Sequence, residues 1–231
     1  MNWRIHHRQE SVSTNLDARS GVPGDVFTAG YQSAGRGRLD HRWLSPPGVN
    51  LLMSAVVGVE GMEPLQVATL PLVAGLALVK ALPREIRGEK IALKWPNDVL
   101  LGGRKLAGIL CERNGDAVIV GIGLNVKEQP FPPEIAARAT FLGEDSVPAV
   151  RDRVLESLGA WIGRWRERGF AALHREIAAV DCLRGRKVAV LRTDGDADAV
   201  KGVCGGITLS GALDVGGVEV YAGEAHVGEI A

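Results

Sequence analysis

Gly35, Arg36, Gly37 and Arg38 stand together, followed by Lys94-Trp95-Pro96-Asn97-Asp98 and then by Arg104-Lys105-Leu106-Ala107-Gly108. These stretches bring arginines, lysines, a carboxylate and small glycines within about seventy residues of one another. Such a set suits chemistry that holds a phosphate and a carboxylic acid together, because two anions repel until fixed cations neutralise them.

Each stretch has a chemical and a plain reading. In Gly35–Arg38 the glycines remove side-chain bulk and permit positive φ, so backbone amides and two guanidinium forks can approach an anion. A solvated Arg/Gly loop, or one touching nucleic acid, fits those residues equally well; GxxxxGK[ST] is absent, so it is not a Walker loop. Pro96 sets an extended or turn geometry after Trp95 and would present Lys94 and Asp98 at a fixed bend, or Asn97 and Asp98 simply close a turn. Lys105 could act as a point charge for phosphate, with Ala107 and Gly108 leaving space against the strand, or be an exposed hairpin lysine.

The elements that must carry these residues are mostly strands. Apolar runs predict strands over Val26–Tyr31, Asn50–Val59, Ile91–Lys94, Val99–Leu101, Lys105–Glu112 and Ala117–Gly123. Gly102-Gly103 reads as a tight hairpin turn that places Lys105 at the mouth of the next strand. A helix begins near Pro64, and Val154, Leu158, Trp161 and Trp165 recur at helical spacing. The proline-rich segment 130–148 reads as irregular. After Gly185 short apolar runs punctuated by glycine, at Val188–Leu191, Val200–Val203, Ala212–Val215, Val218–Tyr221 and Ala225–Glu229, suggest a small barrel and a boundary near residue 184.

Composition narrows the class. The 231 residues allow one large domain with a small one, and 27 Lys plus Arg against 27 Asp plus Glu give no global field to recruit DNA or an anionic membrane. Cys111, Cys182 and Cys204 follow no disulfide or zinc pattern, and the histidines show no metal spacing. The polar start lacks a signal-peptide pattern, and the apolar stretch Val67–Leu82, interrupted by Thr69, Pro71, Gly75 and Lys80, reads as too short for a span. The expectation is a cytoplasmic, reduced protein with neither DNA nor membrane as partner.

Gly35–Arg38 preceded by Gln32 and followed by Trp43, then KWPND, RKLAG and the run Gly121-Ile122-Gly123-Leu124-Asn125, resemble the biotin–protein ligases, the biotin–[acetyl-CoA-carboxylase] ligases. Ser13, Thr14 and Asn15 and the small C-terminal barrel extend the resemblance over nearly the whole chain. It implies an α+β fold: a mixed, class II synthetase-like sheet with packed helices over residues 1–183, then an SH3-like barrel over 184–231. It also implies that ATP and Mg²⁺ convert biotin to biotinyl-5′-AMP, and that biotin then passes to a lysine of the biotin carboxyl carrier domain of acetyl-CoA carboxylase.

By that resemblance Arg38, Lys105, Asp98 and Lys94 carry the catalysis. Ser13, Thr14, Asn15, Gln32, Gly35, Arg36, Gly37, Arg38, Trp43, Lys105, Gly108 and Asn125 bind biotin and the nucleotide. Ser13 also reads as a helix N-cap. Where the family usually continues with Gly and Arg after the loop, this chain has Leu39, Asp40, His41 and Arg42, which leaves the closed-loop contacts open and puts a negative Asp40 beside the ligand. Ser13 already belongs to the ligand site, so no repressor domain is expected ahead of it. A homodimer through a sheet edge is carried as an option, and lipoate or octanoate ligation and noncatalytic biotin sensing remain alternatives.

Overall fold

The computed structural model describes residues 2–39, 41–144, 146–191 and 199–228. Among these described residues there are two sheets. The larger runs β1 (Arg4–Ser11), β2 (Asp25–Gln32), β3 (Asn50–Gly58), β4 (Glu85–Ile86), β5 (Glu89–Lys94), β6 (Asp98–Leu101), β7 (Arg104–Asn114) and β8 (Ala117–Asn125), in the order β1-β2-β3-β8-β7-β6-β5-β4. It is mixed, since β1 pairs parallel to β2 and the rest pair antiparallel. The second sheet, antiparallel throughout, comprises β9 (Lys187–Leu191), β10 (Val200–Ile207), β11 (Leu213–Val215), β12 (Val218–Val220) and β13 (Glu224–Val227). The helices are α1 (Thr14–Asp17), α2 (Pro64–Ala68), α3 (Leu70–Ala81), α4 (Pro133–Ala136), α5 (Val147–Arg168) and α6 (His174–Ala178).

Side-chain alternation separates the two faces of the large sheet. On β3, Leu51, Met53, Ala55 and Val57, with Val118, Val120, Ile122 and Leu124 of β8, join the core built with α3 and α5. Val154, Leu158, Trp161 and Trp165 bury the α5 stripe there, as their spacing predicts. The opposite face takes Val56, Ala117 and Ile119, packed with Ala18 and Phe27, and toward the cavity carries Ser54, Gly108, Gly121 and Gly123 beside Leu110. That second face holds the site.

The helical run Pro64–Ala81 is apolar and long enough to cross a membrane by composition alone, which corrects the reading that it is too short. It breaks at Thr69, and α3 lies buried between sheet and α5. The unpredicted β1 is exposed along all but Ser11 and carries polar residues on both faces. Its ladder with β2 is reinforced by Arg4 and His6 on Asp25, at 2.8 and 3.1 Å, so pairing rather than burial makes it a strand. Glu229, the expected end of the last strand, lies outside the described residues.

Candidate active site

Gly102 and Gly103 take φ of 59° and 83°, the left-handed values of a tight hairpin turn, and so return the chain from β6 to β7. That turn sets Lys105 opposite Leu100 at the start of β7. Before β6 the Trp95–Pro96 peptide is cis. Asn97 staples the β6–β7 pair, its Nδ2 donating to the Ile109 carbonyl at 2.8 Å and its own carbonyl accepting from Ile109 N–H at 2.9 Å. Asp98 is thereby aimed into a cavity of about 140 Å³, where Lys105 Nζ lies 2.8 Å from its Oδ1. The contact is a close ion pair not aligned as a hydrogen bond.

The floor of the cavity is a patch without side chains. Gly108 of β7 faces Gly123 of β8, and Gly121 lies two residues along the same strand face. A Cβ at Gly123 would sit 2.5 Å from Trp43 Cε2, and one at Gly121 would sit 2.1 Å from Asn15 Oδ1. A Cβ at Gly108 would meet Lys105 Cε and Trp43 Cζ3, both at 3.2 Å. The glycines therefore let Asn15, Trp43 and Lys105 lie directly on the strands. Ala107, expected to leave room beside the ligand, is instead fully buried on the helix side, because alternation turns it away.

The roof is the loop after β2, which doubles back on itself. Trp43 N–H donates to the Gly35 carbonyl at 3.0 Å, Gly37 N–H to His41 at 2.6 Å, and Arg36 bridges Arg42. Gly35 and Gly37 do not adopt positive φ, contrary to expectation; Leu39, at 51°, takes the left-handed position. Gly35 serves close approach, since a Cβ there would lie 2.4 Å from the Trp43 carbonyl oxygen. Arg38 Nη1 reaches Asn97 Oδ1 at 3.2 Å and the Gly223 carbonyl of the second sheet at 3.3 Å. Asp40 lies outside the described residues.

At the other end, Ser13 occupies the N-cap of α1 without capping it, and its side chain is buried at the cavity wall. Thr14 is held by Gln32 Oε1, which accepts from its N–H at 2.7 Å and its hydroxyl at 3.0 Å. Ser54 Oγ bridges Thr14 Oγ1 and Asn15 Oδ1 at 2.7 and 2.6 Å. The result is an oxygen-rich end beside a cationic one.

The structure thus gathers Ser13, Thr14, Asn15, Gln32, Arg36, Gly37, Arg38, Trp43, Asp98, Lys105 and Gly108 around one cavity. Three predicted residues fall outside its lining. Lys94 ends β5, whose Leu93 is clamped to residues 180–182, and its charge acts on the Cys182 thiol. Asn125, two residues beyond Gly123 on the same face of β8, is buried past the end of the cavity and donates to the Thr140 carbonyl at 2.9 Å. Gly35 lines the neighbouring cleft formed with Tyr31, Leu44 and Phe131.

Two acids went unread in the sequence, because neither belongs to a local motif. Glu224, from the second sheet, lines the cavity and lies 3.9 Å from His41. Glu112 binds Asn15 and Arg36 at 2.6 and 3.0 Å. Burial, with Glu112 adding, pushes the neighbouring Cys111 thiol up to about 12.

Fold and site define an α+β protein with a cavity on its sheet, where a neutral polar end adjoins a cationic end. Residues 6–127 match the biotin/lipoate A/B protein ligase family. A biotin–[acetyl-CoA-carboxylase] ligase of Mycobacterium tuberculosis is 36% identical over 93% of this chain and 85% of its own. The bifunctional ligase/repressor BirA of Escherichia coli is 32% identical over 82% of this chain, and the match spans 61% of that relative's length. The biotin protein ligase of Aquifex aeolicus, solved with biotin and ATP, superposes with a TM-score of 0.85 at 30% identity, covering 98% of this chain and 99% of that one. The chain belongs to the biotin/lipoate A/B protein ligase family.

Proposed function

We propose that this chain uses ATP to activate biotin as biotinyl-5′-AMP and then transfers biotin to a lysine of a biotin carboxyl carrier domain of acetyl-CoA carboxylase. The observation that carries this reading is the set of cations Arg36, Arg38 and Lys105 beside the Ser13–Asn15 end of one cavity. In the first step the biotin carboxylate oxygen attacks the α-phosphorus and pyrophosphate leaves. Two anions meet, so the step needs preplaced positive charge rather than a nucleophilic side chain.

Each cation has a holding partner: Lys105 on Asp98, Arg36 on Glu112, Arg38 on Asn97 and Gly223. In this reading the α-phosphate takes Lys105 from Asp98. The freed carboxylate then faces the acceptor lysine, whose amine must lose a proton from its usual pKa of about 10.4 before attacking the acyl carbon and releasing AMP. Asp98, with Glu224 at the rim, fits a Mg²⁺ that arrives on the triphosphate, since Mg²⁺ is held by one or two carboxylates plus substrate phosphates. When bound it would neutralise phosphate charge.

The same reading divides the chain into a ligase domain, 1–183, and an SH3-like barrel, 184–231; the strands of the second sheet all follow residue 186. Gly223 and Glu224 make the small domain part of the site. The chain's three cysteines, Cys111, Cys182 and Cys204, are unpaired, which supports a reducing, cytoplasmic setting. The free outer edge of β1 would serve a homodimer. The test is incubation with ATP, Mg²⁺ and a carrier domain, adding biotin or lipoate, and weighing the carrier. A gain of one biotinyl group with biotin only is expected. A gain with lipoate only reassigns the substrate, and tight biotin binding without any gain makes the protein a sensor.

A further inference from the structure

Glu112 is not among the residues lining the cavity, yet three segments converge on its carboxylate. Asn15 Nδ2 donates to Oε2 at 2.6 Å, Arg36 Nη1 to Oε1 at 3.0 Å, and Arg19 Nη2 approaches Oε1 to 3.8 Å. Only 20% of the Glu112 side chain is exposed.

A carboxylate can only accept, so it decides which end of the Asn15 amide faces it. The nitrogen turns to Glu112, and the oxygen turns to Ser54 Oγ at 2.6 Å. Reversing that amide would make it donate to Ser54, and the wall would lose the Asn15 oxygen as an acceptor for the Ser54 hydroxyl. On its other oxygen Glu112 holds Arg36, the first cation of the loop that roofs the anion end.

We infer that Glu112 is a positioning residue that couples the two ends of the site, fixing the Asn15 amide for the head of the ligand and anchoring Arg36 over the phosphate. The inference rests on the ligase reading above. Filling the polar end then strengthens closure at the anion end, and a tethered roof keeps the acyl-phosphate anhydride from water.

The test measures binding of radiolabelled biotin and release of radiolabelled biotinyl-5′-AMP by the whole chain, with melting temperature alongside. Glu112→Gln is expected to weaken biotin binding and speed adenylate release roughly tenfold, the scale of losing a charged hydrogen bond. In an Arg36→Ala background the same change is expected to alter release clearly less than it does in the wild type, because the Arg36 pair is already broken and only the Asn15 contact is left to lose. Glu112→Asp, which keeps the charge and cannot reach both partners, is expected to release at an intermediate rate and serves if Glu112→Gln does not fold. Wild-type release rates in either single variant, or additive effects in the double variant, overturn the assignment of Glu112. A wild-type protein that binds neither ligand overturns the ligase reading itself.

Discussion

Replacing Gly123 by Ala adds one methyl group to the cavity floor, and its cost can be worked from geometry. The new Cβ would lie 2.5, 2.8 and 2.9 Å from Trp43 Cε2, Cδ2 and Cζ2. Carbon atoms rest at roughly 3.5–4.0 Å, so the indole must lift by about 1 Å. β8 cannot yield instead, because it is laddered to β3 on one side and β7 on the other. Trp43 can move, since it is only half-buried and borders the cleft of Tyr31, Leu44 and Phe131. Overpacking costs about 1–3 kcal/mol. If the indole relieves it by leaving its place at the cavity wall, that energy appears as roughly 5- to 150-fold weaker biotin binding, with little change in melting temperature. Calorimetric titration with biotin, paired with thermal unfolding, reads both quantities. Gly163→Ala on α5 is the control: its Cβ meets nothing within 4 Å, so binding stays as in wild type and the helix gains stability by up to about 1 kcal/mol. Wild-type biotin affinity in Gly123→Ala would refute the argument that the bare floor exists to seat Trp43.

Lys105→Ala and Arg38→Ala are each expected to lower biotinyl-5′-AMP formation by ~10²-fold or more; rates within about threefold of wild type in a pyrophosphate-release assay contradict the charge argument. Asp98→Asn is expected to slow transfer from preformed adenylate to the carrier, and a normal single-turnover rate removes Asp98 from that step. Biotinyl-5′-AMP is expected to protect segments 34–44 and 126–142 from amide exchange, and unchanged exchange in both argues against loop closure. Asp25 is held at about 2, below its ordinary 3.8, first by the Val22 N–H and then by His6 and Arg4. Its contribution to stability is therefore complete above about pH 4 and is lost as pH falls toward 2, so Asp25→Asn should flatten acid unfolding across that window. Identical acid profiles for the two proteins would refute this.

The chemistry-bearing motifs were legible because each is local. Gly102-Gly103 between two apolar runs names its own turn, and the spacing of Val154, Leu158, Trp161 and Trp165 names its own helix. Apolar runs rich in Val, Ile and Leu located the central strands β3 and β8, and GRGR, KWPND and RKLAG located the charges. Periodicity could not find β1, whose polar residues are held by backbone pairing and by Asp25 rather than by burial. Nor could it rank the charges: Lys94 and Lys105 are alike in sequence, and only the folded structure shows Lys105 in the cavity and Lys94 outside it, at the end of β5 beside residues 180–182.

From the residues alone came a mixed chain of strands and helices, a change of texture near residue 184, and a cation-rich set fit for an acid and a phosphate. The fold decided which of those residues meet. Asn15 touches Glu112 across 97 positions, and Arg38 touches Gly223 across 185. No local pattern encodes contacts of that range, because they arise only when the sheet sets β7 beside β8 and brings the second sheet to the cavity's edge.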